Sequence, residues 1–158
     1  FEHLPVSLRF IEFMDVGNHN RWRHNDVVPS SEIQNHLKRR MNLIPIDSTY
    51  RGEVAQRWKV EGRSGFEIGF ISSVSQPFCG DCTRARISSD GHLFTCLFAS
   101  TGTDLKSILR GQSNEKSLLD VISEIWKLRD DKYSELRGET KKSGTIILPK
   151  IEMSYIGG

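Results

Sequence analysis

The chain has no apolar stretch near the roughly 20 residues that a membrane-spanning helix needs. It also has no basic segment followed by an apolar run of the kind that directs export. A spanning helix and secretion are therefore not expected, and the cytoplasm is the expected compartment. An excess of one charge is missing too: 22 basic and 20 acidic residues leave a net charge of +2. The positive charges are scattered among acids, so no footprint for nucleic acid or a lipid surface is read. Internal repeats and low-complexity stretches are absent, which excludes a solenoid array. Cysteine is scarce: there are three, an odd number that cannot close into a disulfide set. In a reducing compartment they remain thiols. The chain opens on Phe1 rather than Met and is expected to be processed or cut from something longer.

What is present is an ordinary globular composition, 37% hydrophobic and 27% charged over 158 residues, enough for a domain with a real core. Val6 to Met14 (VSLRFIEFM) is apolar on both faces, as in a strand of a parallel sheet covered on both sides, and stops at Asp15-Val16-Gly17. Residues 18–28 read as a loop. Pro29-Ser30-Ser31 starts a helix with capping-box spacing from Ser31 to Gln34 and an apolar face of Ile33, Leu37 and Met41. Residues 54–60, 66–70 and on to 74 read as strand pieces of a small antiparallel sheet, with a hairpin turn at Gly62 to Gly65. Later helices are expected around Leu105–Leu109, stopped by Gly111, and from about residue 115 to 130. Residues 133–144 read as a charged loop, and 145–148 as one more strand.

The chemistry lies in Cys79-Gly-Asp-Cys82, followed by thirteen residues and Cys96. Three reduced thiols within 18 residues point to metal. Two of them, with two residues between, can grip one metal or cluster, and Gly80 eases the fold of the backbone round it. Asp90-Gly91 is a two-residue hairpin signal. Closing it pairs Ser89 with His92 and, counted outward, Ala85 with Cys96, which returns Cys96 beside the Cys79–Cys82 loop. A structural zinc site wants a fourth ligand. His92 sits about four residues up the strand, out of reach at ~3.3 Å per residue, whereas Asp81 is possible. An iron–sulfur cluster with three protein thiolates and one open iron, free to bind a substrate, fits better. Arg84 and Arg86 flank the site and suit an anion such as phosphate. That register puts them on the strand face opposite Cys96, so an irregularity is expected near Thr83–Ala85.

These residues carry a resemblance. The run Phe78-Cys79-Gly-Asp-Cys82-Thr83-Arg84-Ala85-Arg86, with Ser89-Asp90-Gly91 and Cys96-Leu97-Phe98, resembles the C-terminal part of the molybdenum cofactor biosynthesis protein A family. That family comprises radical S-adenosylmethionine GTP 3′,8-cyclases. Arg9-Phe-Ile-Glu-Phe-Met14-Asp, Trp126-Lys-Leu-Arg-Asp-Asp-Lys-Tyr133-Ser and Met153-Ser-Tyr-Ile-Gly-Gly158 match it as well, so the resemblance covers nearly the whole chain. It implies that Cys79, Cys82 and Cys96 hold a [4Fe-4S] cluster whose open iron binds the purine of GTP. It also implies that Arg84, Ala85, Arg86 and Arg9 contact GTP, that Met14 touches S-adenosylmethionine, and that Gly157 and Gly158 reach the active site and assist cyclisation.

The implied reaction converts GTP to (8S)-3′,8-cyclo-7,8-dihydroguanosine 5′-triphosphate, handed on to cyclic pyranopterin monophosphate synthase. The family's other [4Fe-4S] cluster, in an N-terminal radical barrel, has no counterpart here, so this chain resembles a C-terminal fragment that is inactive alone. Residues 1–45 would be the end of the barrel and 46–158 the second-cluster, substrate-binding region of a single C-terminal domain. The implied fold is α+β: the last strand-helix of an incomplete α/β barrel, a small antiparallel sheet, a cysteine-bearing hairpin and two to three helices. The strand at Val6–Met14, lacking its barrel, would favour a homodimer. The alternative is a zinc-stabilised binding module with Asp81 or His92 as ligand. An electron-transfer domain is a weaker reading, because it would be one thiolate short.

Overall fold

The computed structural model describes residues 1, 3–111, 117–142 and 149–156, with the side chains of 138–142 left aside. Among these the protein is mixed α+β with no closed barrel, and it divides into two compact units. Phe1–Met14 and Trp22–Cys82 form the first; Asp15–Arg21 and Thr83–Gly158 form the second.

The first unit contains strands β1 (Ser7–Ile11), β2 (Leu43–Ile46), β3 (Gln56–Val60) and β4 (Glu67–Ile71), and helix α1 (Ser30–Lys38). The sheet order is β1-β4-β3-β2, with β1 parallel to β4 and the other pairs antiparallel. Alternation along each strand places Leu8, Phe10, Trp58, Val60, Ile68 and Phe70 on one face. There they meet Leu43, Phe66 and the predicted helix face of Ile33, Leu37 and Met41. Phe10 stacks on Phe70 with centroids 5.6 Å apart. Burying such side chains contributes about 1.5–3 kcal/mol each relative to exposure.

Two expectations need correction here, and one strand was not expected at all. The first strand is an edge strand, and its second face is not a core face: Ile11 is 57% exposed, and the same face carries Arg9, Gly69 and Arg57 in register. The capping box at Ser31 does not form. The helix begins at Ser30, capped by Pro29 without a side-chain bond, and the amide of Ser30 donates instead to the carboxylate of Glu12, 18 residues upstream. Finally, β2 had no signal of its own; Leu43 to Ile46 becomes a strand only by pairing with Val60 to Arg57. The turn at 62–65 does form, with Gly62 and Gly65 at φ +73° and +76°, the left-handed region glycine enters freely.

The second unit has β5 (Arg86–Ile87), β6 (His92–Phe94) and β7 (Thr103–Asp104) in an antiparallel sheet of that order. Helices α2 (Leu105–Arg110), α3 (Leu118–Lys127) and α4 (Tyr133–Lys142) follow. Asp104 caps α2 by accepting the amide of Ser107, and Ser117 with Asp120 forms a capping box on α3. Gly111 ends α2 in an extended conformation, not as a left-handed cap. Besides α1, the helix of the expected strand-helix, the described residues hold three α-helices, within the two to three expected and one more than the two placed along the sequence. The additional one is α4, read from sequence as a charged loop; its hydrophilic sequence hides that Tyr133 and Arg137 are anchored by a distant carboxylate. The strand expected at 145–148 lies outside the described residues.

Candidate metal centre

Glu12 shapes the approach to the first two cysteines. It is 3% exposed and stands just past β1. One carboxylate oxygen accepts the Ser30 amide (2.7 Å) and the Ser75 hydroxyl (2.6 Å). The other accepts the amides of Val74 (2.8 Å) and Ser75 (2.7 Å). Burial pushes its carboxyl up, but these hydrogen bonds outweigh it and hold it below its ordinary value of 4.5. The chain therefore leaves the sheet after Ile71 instead of continuing as a strand to 74, and runs through Pro77 and Phe78 into a 3-10 turn at Cys79–Asp81. The Cys82 amide closes that turn onto the Cys79 carbonyl at 3.2 Å. Both thiols are half-buried and neither is in a disulfide. Gly80 has no left-handed conformation, and a Cβ there would meet nothing within 4 Å, so the turn itself does not demand glycine.

Arg9 lies in the same unit. A Cβ on Gly69, its neighbour across β1–β4, would stand 2.6 Å from Arg9 Cδ and 2.8 Å from Nη1. Gly69 is thus the trough in which Arg9 rests. Arg9 Nη1 is buried and has no hydrogen-bond partner, whereas Arg57 on the far side of Gly69 is held by Glu67 at 2.7 Å. A buried guanidinium nitrogen without an acceptor is costly, and it is a feature that an incoming anion would relieve. Met14 ends this segment, half-buried.

Cys96 belongs to the second unit. The hairpin that carries it forms, but one residue out of the expected register: Arg86 pairs with Phe94 and Ile87 with Leu93. Ser88 then faces His92, and the loop holds three residues, Ser89-Asp90-Gly91, with Gly91 at φ +91°. Side chains dictate the longer loop. Ser88 Oγ accepts the His92 amide and donates to Asp90, and Asp90 also accepts the Tyr155 hydroxyl. These two hydroxyls, with His92 alongside, hold the Asp90 carboxyl well below the usual carboxylate range. The shift resolves the conflict between arginines and cysteine. The extra residue sits in the turn and not at Thr83–Ala85. Counting on in this register sets Arg84, not Ala85, level with Cys96, although pairing stops at Arg86–Phe94. Arg84 and Ala85 are exposed and Arg86 half-buried.

Beyond β6 the chain turns on Cys96 itself. The Ala99 amide donates to the Cys96 carbonyl at 3.3 Å, and the Phe98 amide donates to Cys96 Sγ at 3.4 Å. Gly157 and Gly158 lie outside the described residues.

A further group escaped the sequence reading. Asp15 accepts the Tyr133 hydroxyl (2.6 Å), Arg137 Nε (2.9 Å) and Lys150 Nζ (2.9 Å). Burial pushes the Asp15 carboxyl up, but the Tyr133 and Lys150 hydrogen bonds and the two cationic charges prevail and lower it. Desolvation, with Asp15 beside it, pushes the Tyr133 hydroxyl up in turn. The Asp15-Val-Gly turn and the Arg-Asp-Asp-Lys-Tyr run were both visible in sequence, but nothing in a 118-residue separation says that they meet.

The donor set suits a thiophilic centre. None of the three thiols is in a disulfide, none is fully buried, and one already accepts an amide hydrogen bond, the interaction that tunes cluster sulfurs. Among the described residues no three His, Cys, Asp or Glu side chains are drawn together as a metal-holding group. No helix among them is long and apolar enough to cross a membrane.

Fold and site thus define an α+β protein that presents a C-x-x-C turn and a third thiol behind a hairpin. The profile of the Molybdenum Cofactor Synthesis C family matches residues 6–135, and the chain belongs to that family. It is 50% identical over 151 residues to the GTP 3′,8-cyclase of Xanthomonas campestris pv. campestris (strain B100), covering 96% of this chain and 42% of that protein. Against the GTP 3′,8-cyclase of Acidothermus cellulolyticus it is 43% identical over 172 residues, 96% of this chain and 47% of that one. Against that of Staphylococcus epidermidis it is 41% identical over 160 residues, 100% and 46%. The chain spans less than half the length of these curated relatives.

Proposed function

We propose that this chain is the substrate-binding, second-cluster region of a radical S-adenosylmethionine GTP 3′,8-cyclase acting in molybdenum cofactor biosynthesis. The observation that carries the reading is the set of three half-buried cysteines outside any disulfide, in a chain 50% identical to a GTP 3′,8-cyclase over 96% of its length. Cys79, Cys82 and Cys96 would hold a [4Fe-4S] cluster. When bound, it offers one open iron as a Lewis-acidic position for a purine nitrogen or oxygen.

Every other role falls to the chain's own groups. Arg84 and Arg86 supply guanidinium forks for the triphosphate, the Ala85 backbone lies between them, and Arg9 Nη1 offers a further donor. Met14 contacts S-adenosylmethionine, and Gly157 and Gly158 assist cyclisation. Residues 1–45 complete a barrel whose N-terminal part holds the other [4Fe-4S] cluster and generates the radical; residues 46–158 hold the substrate. Three cysteines suffice for one cluster, so this chain binds GTP but is inactive without that barrel. Joined to that barrel, it works in the cytoplasm as a homodimer, and the cyclic product passes to cyclic pyranopterin monophosphate synthase.

Anaerobic reconstitution with iron and sulfide tests this. The expected product is brown, with about four irons per chain, the content of one such cluster, and GTP alters its spectrum. A colourless protein with one stoichiometric zinc, or a cluster blind to GTP, would overturn the assignment. Arg86→Ala should weaken the GTP titration roughly 10- to 100-fold, the loss of a charge-assisted contact of about 1.5–3 kcal/mol.

Gly69→Ala gives a sharper test of Arg9. The three atoms nearest the new methyl all belong to the flexible Arg9 side chain, so stability should change by less than about 1 kcal/mol. The guanidinium must nevertheless move, and GTP affinity should fall about fivefold or more. An unchanged affinity by the same titration would remove Arg9 from the site.

A further inference from the structure

Asp15 belongs to none of the roles above, yet the polar network around it ends at Cys96. Its carboxylate holds Tyr133, Arg137 and Lys150. Those three side chains enclose the ring of Phe98. Tyr133 stacks on it with centroids 4.5 Å apart, and the Lys150 ammonium and Arg137 guanidinium lie 5.1 and 5.4 Å from its centroid. Asp15, Arg137 and Lys150 are all at most 10% exposed at the side chain. Two buried cations against one carboxylate are unusual unless aromatic faces share the charge, and here Phe98 and Tyr133 do so. The clamped residue is the one whose amide donates to Cys96 Sγ. A second strap reaches the same turn from the lysine: the amide of Ile151, next to Lys150, donates to the Ala99 carbonyl, and the Ala99 amide to the Cys96 carbonyl.

We propose that Asp15 is a positioning residue for Cys96: by seating Arg137, Lys150 and Tyr133 around Phe98, it fixes the backbone turn that aims the Cys96 sulfur and supplies its amide hydrogen bond. The inference rests on Cys96 as a ligand, but its geometry is tested without metal. Removal of the carboxylate leaves two cations without their common acceptor, so they part, the Phe98 ring is released, and the amide at 98 loses its direction. The effect is confined to the turn at Cys96, so amide exchange in helix α3 of the same unit should stay unchanged, which separates positioning from a general loss of stability.

The test is differential alkylation of the metal-free full chain at about pH 9.5, where an ordinary thiol is mostly thiolate and access sets the rate. Residue-by-residue mass spectrometry reads the rate, alongside hydrogen exchange at the Phe98 amide. Asp15→Asn should raise the Cys96 rate at least fivefold relative to Cys79 and Cys82 and speed Phe98 exchange at least tenfold. Asp15→Glu, which keeps the charge, should recover part of both. If Asp15→Asn does not fold, Lys150→Met, which removes one of the two cations and keeps an unbranched chain, should show the same selectivity. Equal changes at all three thiols, or none at Cys96, overturn the proposal. Failure of the wild-type chain to take up iron overturns the ligand assignment instead, and leaves the alkylation result standing.

Discussion

Cys96→Ser is expected to abolish iron uptake while leaving the metal-free protein folded. The substitution is nearly isosteric at a half-buried position, and serine Oγ can still accept the Phe98 amide, so denaturation midpoints should move by less than about 1 kcal/mol. Metal binding is another matter. The thiolate is the ligand that iron–sulfur clusters use, and a hydroxyl neither ionises near neutral pH nor offers a soft donor. With two thiols left in the Cys79–Cys82 turn, a cluster would be held at one edge only. Reconstituted protein should therefore fall from about four irons per chain to fewer than about one, with the brown absorbance lost and no response to GTP. Full iron retention would show that Cys96 is not a ligand. Retained iron with a lost GTP response would place Cys96 in substrate recognition instead.

The second large effect is on stability. Glu12→Ala should cost about 3–5 kcal/mol, because it strands three backbone amides and a hydroxyl in a site 3% exposed. That is a large share of the roughly 5–15 kcal/mol that keeps a domain folded. Glu12→Gln should cost about half as much. If its amide nitrogen takes the place of the oxygen facing Ser30 and the Ser75 hydroxyl, that hydroxyl can turn to accept, and only the Ser30 amide is lost. Urea unfolding measures both, and a loss below about 1 kcal/mol for Glu12→Ala would contradict the account. The pH dependence carries the same sign. Because the Glu12 carboxyl is held below its unfolded value of 4.5, its contribution is complete above that value and is lost as pH falls through the folded one. Wild-type stability should thus drop in acid, and Glu12→Gln should flatten the drop.

Glu12 also shows where sequence reading stops. A glutamate inside RFIEFM breaks an apolar strand, and that anomaly alone was a signal for a buried functional or structural carboxylate. What it binds was not readable. Ser30 lies 18 residues away and Ser75 lies 63, and the competing local signal, the Ser31–Gln34 capping box, pointed elsewhere. The hydrophilic run at 133–142 misled in the same way. Its lack of an apolar face argued for a loop, but helix α4 gains its hold from polar contacts to Asp15 that no local pattern encodes.

The sequence by itself determined the chemistry: three thiols at a metal-gripping spacing, a hairpin between the second and third, arginines beside them, and an amphipathic helix that buries Ile33, Leu37 and Met41. Those follow from residue type and short-range periodicity, which act over a few residues. The tertiary structure decided the register and the supports. A two-residue turn and a three-residue turn are both open to Ser-Ser-Asp-Gly. In the fold the three-residue turn is held by Ser88 and by the hydroxyl of Tyr155, 65 residues from Asp90, and Arg86 pairs with Phe94. Likewise no spacing rule could join Asp15 to Tyr133, Arg137 and Lys150. Burial removes the water that would otherwise satisfy each charge, and the groups must then find one another.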